Sequence, residues 1–140
     1  MKYYKQEVLH DPKTGNFGDC QRAAIATVLQ LDMSEVPHFN EGGPDSLEFF
    51  DRISEFLNQR GMTLFSIPFQ ACPLEDLLRT MGVNNENTVY MLSGTTPRGV
   101  NHVVVCKGGK LIHDPHPSND GLTGPCDDGY WWIEIVAVQP

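Results

Sequence analysis

The chain has 140 residues, enough for a single compact domain over 1–140 with its own core, and its 40% hydrophobic and 20% charged content is that of an ordinary globular protein. Eighteen acidic residues against ten basic ones give a net charge of −8 with no Lys/Arg cluster, which argues against a nucleic-acid backbone or an anionic membrane as partner and favours a neutral or basic one. No apolar run approaches a membrane span, and Met1 to Glu7 lacks the apolar core of a secretory signal, so a cytoplasmic protein is expected.

The first residues, through Val8 and Leu9, read as a short strand, and His10 to Gly15 as turn and loop. Gly15-Asn16-Phe17-Gly18-Asp19-Cys20 then delivers a cysteine to a helix running to Leu31, with Asp19 placed as N-cap. That position has chemical meaning: N–H groups of a first helical turn lack intrahelical partners and the dipole is positive there, so a thiolate is stabilised. The nearly all-apolar run Ala23 to Leu31 marks the helix as buried, with alanines that allow close approach to a sheet. Asp19 works against ionisation of the thiol and calls for a compensating cation.

Pro37, Gly42, Gly43 and Pro44 mark a loop, with a helical turn at Ser34 to Val36. A second helix is expected from a cap at Asp45, with Glu48 as capping-box partner, an apolar stripe of Leu47, Phe50, Ile53 and Leu57, and a stop at Gly61. Thr63 to Ile67 reads as a strand, and Pro73 with Glu75 and Asp76 starts a short helix to about Thr80. Thr88 to Leu92, Asn101 to Lys107, Lys110 to Asp114 and Tyr130 to Val138 are strand-like. Helices followed by mostly antiparallel strands predict an α+β fold, a buried N-terminal helix packed on the sheet.

His102 to Asp114 reads as a hairpin around Gly108-Gly109. A two-residue loop there would put His102 and Asp114 on opposite faces. A three-residue loop, Lys107-Gly108-Gly109, would pair them directly and leave Val104 and Ile112 beside them on one largely apolar face. That face would suit the buried helix, with Cys20 at its end beside the His/Asp pair. His113 falls on the other face.

Gly18-Asp19-Cys20-Gln21-Arg22 leading through Leu31, Gly99-Val100-Asn101-His102 leading into three valines, and Leu111-Ile112-His113-Asp114-Pro115 together resemble the papain-like cysteine peptidase superfamily. Within it they are similar to the bacteriocin-processing (double-glycine) peptidases and their small bacterial and phage relatives. The resemblance covers about Gly15 to Leu31 and Val100 to Pro115. It implies a Cys-His-Asp catalytic triad in a thiol protease, with Cys20 as nucleophile, His102 as general base and Asp114 as its orienter. The implied chemistry is hydrolysis of a peptide or other amide bond through a thioester, with the Cys20 N–H holding the oxyanion. Where the family has a glutamine six residues before the cysteine, this chain has Thr14, and Asn16 is the candidate for the second oxyanion donor.

Cys20, Cys72, Cys106 and Cys126 have no paired spacing, so neither a zinc knuckle nor a disulfide framework is suggested, and the last three read as inert buried thiols. His113, Asp114 and His116 match no established zinc spacing, so neither metal nor cofactor is expected. His10 and His38 read as solvated, and Trp131 and Trp132 as core and sheet surface. The leading expectation is a hydrolase acting on a peptide or protein substrate. The alternatives are a catalytically weak binding module on the same fold, a deamidase or transamidase using the same apparatus, and a metal-dependent hydrolase.

Overall fold

The computed structural model describes residues 1–43 and 46–140. Among the described residues three α-helices, α1 (Cys20–Leu29), α2 (Ser46–Asn58) and α3 (Leu74–Asn84), accompany five strands: β1 (Met62–Gln70), β2 (Val89–Thr95), β3 (Asn101–Lys107), β4 (Lys110–His113) and β5 (Tyr130–Val138). The strands form one antiparallel sheet in the order β1-β5-β2-β3-β4, so the fold is α+β. Pro68, which cannot donate to a ladder, lies in the edge strand β1. Among the described residues no helix is long and apolar enough to cross a membrane.

The two sheet faces carry separate cores. Ala23, Ala24, Ile25 and Ala26 of α1 pack with Val103, Val105 and Met91, and Ile53, Phe56 and Leu57 of α2 complete that cluster. On the other face Leu77 and Met81 of α3 pack with Tyr90, Leu92, Val104, Cys106 and Trp131. The small side chains of α1 allow its backbone to lie close to the sheet, as close packing requires.

Several sequence expectations need correction. Residues before Leu9 form no strand; their backbone groups bond to side chains of α1 and its C-cap, Tyr4 N–H donating to Thr27 Oγ1 at 3.0 Å and Lys2 N–H to Gln30 Oε1 at 2.8 Å. The first helix stops at Leu29 because Gln30 turns left-handed, at φ 55°. α3 continues past Thr80 to Asn84. The cap expected at Asp45 lies outside the described residues. Of the α2 stripe, Ile53 and Leu57 are buried, but Leu47 is 79% and Phe50 46% exposed.

The β3–β4 hairpin follows neither simple register. Its loop is the two residues Gly108-Gly109, with Lys107 opposite Lys110 and Cys106 opposite Leu111. Gly108 takes φ 55°, and a Cβ there would lie 2.5 Å from the Glu86 carbonyl oxygen, so glycine is required. A bulge then shifts the pairing to Val105 opposite His113. The extra residue that a three-residue loop would have supplied sits instead inside β4, and it restores the parity that lets His102 and Asp114 meet. The face assignment also changes: α1 covers Val103 and Val105, whereas Val104 faces α3.

Candidate functional site

The segment before α1 is held by its own contacts. Asp11 and Asn16 form an isolated bridge around a 3₁₀ turn at Pro12–Thr14, and Gly15 closes the turn at φ 79°. His10 Nδ1 accepts the Gly18 N–H at 3.3 Å, and His38 Nε2 lies 2.7 Å from the Phe17 carbonyl oxygen. His38 is therefore a half-buried clamp on the loop, not the solvated residue expected.

Asp19 stands at the N-cap position but its side chain does not cap α1. Buried to 1% exposure, its carboxylate accepts the Val8 N–H at 3.0 Å and faces Arg22 Nη1 at 3.4 Å. Arg22 is fixed in turn by the carbonyls of Met33 and Val36, at 2.6 and 2.7 Å. The negative charge beside Cys20 thus has its own cation, and α1 keeps its first N–H groups unshielded by a capping carboxylate.

Cys20 and His102 line one cavity of about 690 Å³. His102, 6% exposed at the start of β3, meets Asp114 through Nε2 at 2.7 Å from Oδ1. Asp114 also accepts the backbone N–H of His116 on Oδ1 at 2.9 Å and that of Gly121 on Oδ2 at 2.8 Å. Burial works to raise the Asp114 pKa, but the His102 ring and these two N–H donors hold it well below the usual carboxylate range. Burial likewise works to lower the His102 pKa, but the Asp114 carboxylate and the Cys20 sulfur beside the ring raise it to about 9. At neutral pH the imidazole therefore holds a proton between a carboxylate and a sulfur.

Cys20, His102 and Asp114 are thus brought together, and Asn16 is not. Its amide donates to Thr14 Oγ1 at 3.1 Å, and it takes no part in the cavity wall. The neighbouring histidines are engaged elsewhere: His113 Nε2 lies 2.5 Å from the Tyr4 carbonyl oxygen, and His116 Nδ1 lies 2.8 Å from Ser118 Oγ. Among the described residues no group of three or more His, Cys, Asp or Glu side chains is arranged to hold a metal ion.

All four cysteines are free. Cys106 is core, and burial pushes its pKa up to about 12. Cys126 belongs to the cavity wall, contrary to expectation, yet burial and the neighbouring Asp128, Asp127 and Glu134 also push it up to about 12, so it remains a thiol.

Sequence reasoning passed over Glu134, which also lines the cavity at 3% exposure. It lies in β5 directly across from Ser66 in β1 and Met91 in β2, and burial raises its pKa to about 7 against the pull of Ser93, Gln21 and Ser66. The signal was a lone carboxylate in Trp131 to Val136, but alternation by itself reads such a residue as solvent-facing. Trp132, on the same face, bonds Asp128 Oδ2 through Nε1 at 2.7 Å and walls the cavity.

No protein-family model matches the chain, and no match is found among curated proteins or among solved structures. The fold itself is α+β.

Proposed function

We propose that the protein is a cysteine-dependent acyl-transfer enzyme of papain-like type, hydrolysing a peptide or related amide bond. The observation that carries this reading is the buried 2.7 Å contact between His102 and Asp114, with the imidazole beside a cysteine at the start of α1. Cys20 sulfur, as thiolate, attacks the carbonyl carbon and forms the new C–S bond. The oxyanion that develops is met by unpaired N–H groups of the first turn of α1. As the C–N bond breaks, His102 gives its proton to the leaving amine from the nitrogen not held by Asp114. Water then attacks the thioester, His102 takes the proton, and the carboxylic acid leaves with regeneration of the thiolate. Asp114 stays ionised throughout and holds the ring in place.

The test is alkylation by iodoacetamide at neutral pH, followed residue by residue by mass spectrometry. Cys20 is expected to react far faster than Cys72, Cys106 and Cys126, and Cys20→Ala is expected to abolish turnover in a peptide-library digest while leaving the circular dichroism unchanged. Equal alkylation rates at all accessible cysteines, or full turnover by the alanine variant, overturn the reading.

A second reading is a binding module on the same scaffold with little turnover. The engagement of the Asn16 amide by Thr14 favours it, because Asn16 then does not supply the second oxyanion donor that fast acyl transfer uses. A fast-alkylating Cys20 combined with no hydrolysis across a broad peptide library is the outcome that selects it.

A further inference from the structure

On the α1 side of the sheet the apolar surface gives way to polar residues beyond the start of the helix. Val105, Met91 and Val136 lie in the α1 core, but the same faces of their strands continue to Asn101, Ser93, Trp132 and Glu134 in the cavity. Glu134 is the unusual member of this surface. Ser93 Oγ donates to its Oε1 at 3.3 Å, whereas its buried Oε2 has no hydrogen-bond partner among the described residues. Buried carboxylates are ordinarily paired, and one left half-satisfied carries a desolvation penalty that a donor, a cation or its own protonation relieves.

Among the described residues the cavity lining includes Asp128 and Glu134 but neither lysine nor arginine, and its one cationic side chain, His102, is already held by Asp114. Asp128 is bonded by neutral donors, the Trp132 indole and the Tyr130 N–H. Phe49, Phe50 and Trp132 form aromatic walls around the approach. Rings of this kind accept the methylene stem of a long side chain and attract a cationic end.

We infer that the cavity is a recognition pocket for a basic side chain of the substrate, whose ammonium or guanidinium group is received by the Glu134 carboxylate while its stem lies against the aromatic walls. The occupant is called a substrate on the strength of the reading above; the preference for a cation stands on the pocket alone. A net charge of −8 adds long-range attraction for such a partner. Other titratable groups on the cavity are Cys20 on α1, His102 on β3, and Cys126 and Asp128 ahead of β5. Of these, His102, raised to about 9, keeps its charge through neutrality, and Cys126, raised to about 12, stays neutral. Glu134, at about 7, therefore changes its charge near neutrality, so cation preference is expected to grow as pH rises.

The test uses a matched pair of thiol reagents, aminopentyl-chloroacetamide and its uncharged isostere hexyl-chloroacetamide, on the intact protein, with modification read at each cysteine. The cationic-to-neutral rate ratio at Cys20, divided by that at Cys72, is expected to reach about ten, the worth of one charge-assisted contact. Glu134→Gln should bring it near one. In the wild type it should rise between about pH 6 and pH 8, which tests the proposal even if the glutamine variant does not fold. A wild-type ratio near one, a ratio untouched by Glu134→Gln, or a ratio flat with pH overturns it. Equal preference for the short aminoethyl reagent overturns the assignment to a long basic side chain. The absolute rate at Cys20 with iodoacetamide separately tests the nucleophile, so the two readings fail independently.

Discussion

Asp114 holds His102 from below: one carboxylate oxygen meets the imidazole at 2.7 Å and also takes a backbone N–H, while the other takes the N–H of Gly121. Two backbone donors fixed by the chain around Pro115 to Gly121, His116 and Gly121, make this carboxylate a rigid acceptor for the ring, which has little freedom to turn away from Cys20.

Replacing Asp114 by alanine should therefore act on reactivity as well as stability. Without the carboxylate, only the Cys20 sulfur opposes the lowering of the His102 pKa by burial, and the protonated partner of Cys20 should be weakened at neutral pH. Iodoacetamide alkylation of Cys20 at pH 7 is expected to slow by at least about tenfold. The sign for stability follows from the shifts: the raised His102 contributes below its unfolded value of 6.5 and loses that contribution as pH rises through about 9, while the depressed Asp114 contributes above 3.8 and loses it on acidification. Urea midpoints of wild type and Asp114→Ala should differ most between these limits and converge at both extremes.

Glu134 has the opposite sign. Its folded pKa, raised from 4.5 to about 7, means its neutral form is favoured in the native state, so stability is fully present below 4.5 and falls as pH rises through 7. Glu134→Gln removes that loss, and relative to wild type the variant should gain on the order of 3 kcal/mol between about pH 4 and pH 8. Chemical denaturation at the two pH values measures it; a constant difference between variant and wild type contradicts the burial argument.

Asn16 separates a loop residue from an oxyanion donor. With its amide engaged by Thr14 and its side chain outside the cavity, Asn16→Ala should change turnover by less than about threefold, whereas loss of an oxyanion donor lowers kcat by about 10²–10³. Steady-state kinetics on any peptide the wild type cleaves decides between them.

Arg22 is expected to be sensitive out of proportion to its place on the helix. Arg22→Ala strips the buried Asp19 carboxylate of its cation and frees the Met33 and Val36 carbonyls. Leaving a buried charge unpaired costs roughly 3–5 kcal/mol, enough for a clear fall in thermal midpoint. The double variant Asp19→Asn, Arg22→Ala should recover part of that loss.

Local pattern was sufficient for the helix beginning at Cys20, for β3 and β5 with the bounds observed, and for a hairpin turn at Gly108-Gly109 though not for its length, because apolar period, turn residues and helix starts are short-range properties of the chain. The proximity of His102 and Asp114 was legible only as a parity question, and it was answered by a bulge, which depends on how β4 fits β3 rather than on any residue type. Asp19 looked like a cap until the N-terminal segment and Arg22 claimed its carboxylate from outside the helix. Glu134 was hidden for the same reason. Strand alternation assigns a side chain to a face, but the point at which α1 begins along that face decides whether the residue there is core, solvent-exposed or the floor of a cavity. By itself, then, the sequence determined most of the elements, the strand expected before Leu9 excepted, and the three residues Cys20, His102 and Asp114 that could meet. Tertiary packing decided which of the supporting groups reach them, because burial and pairing are set by what neighbouring elements leave uncovered.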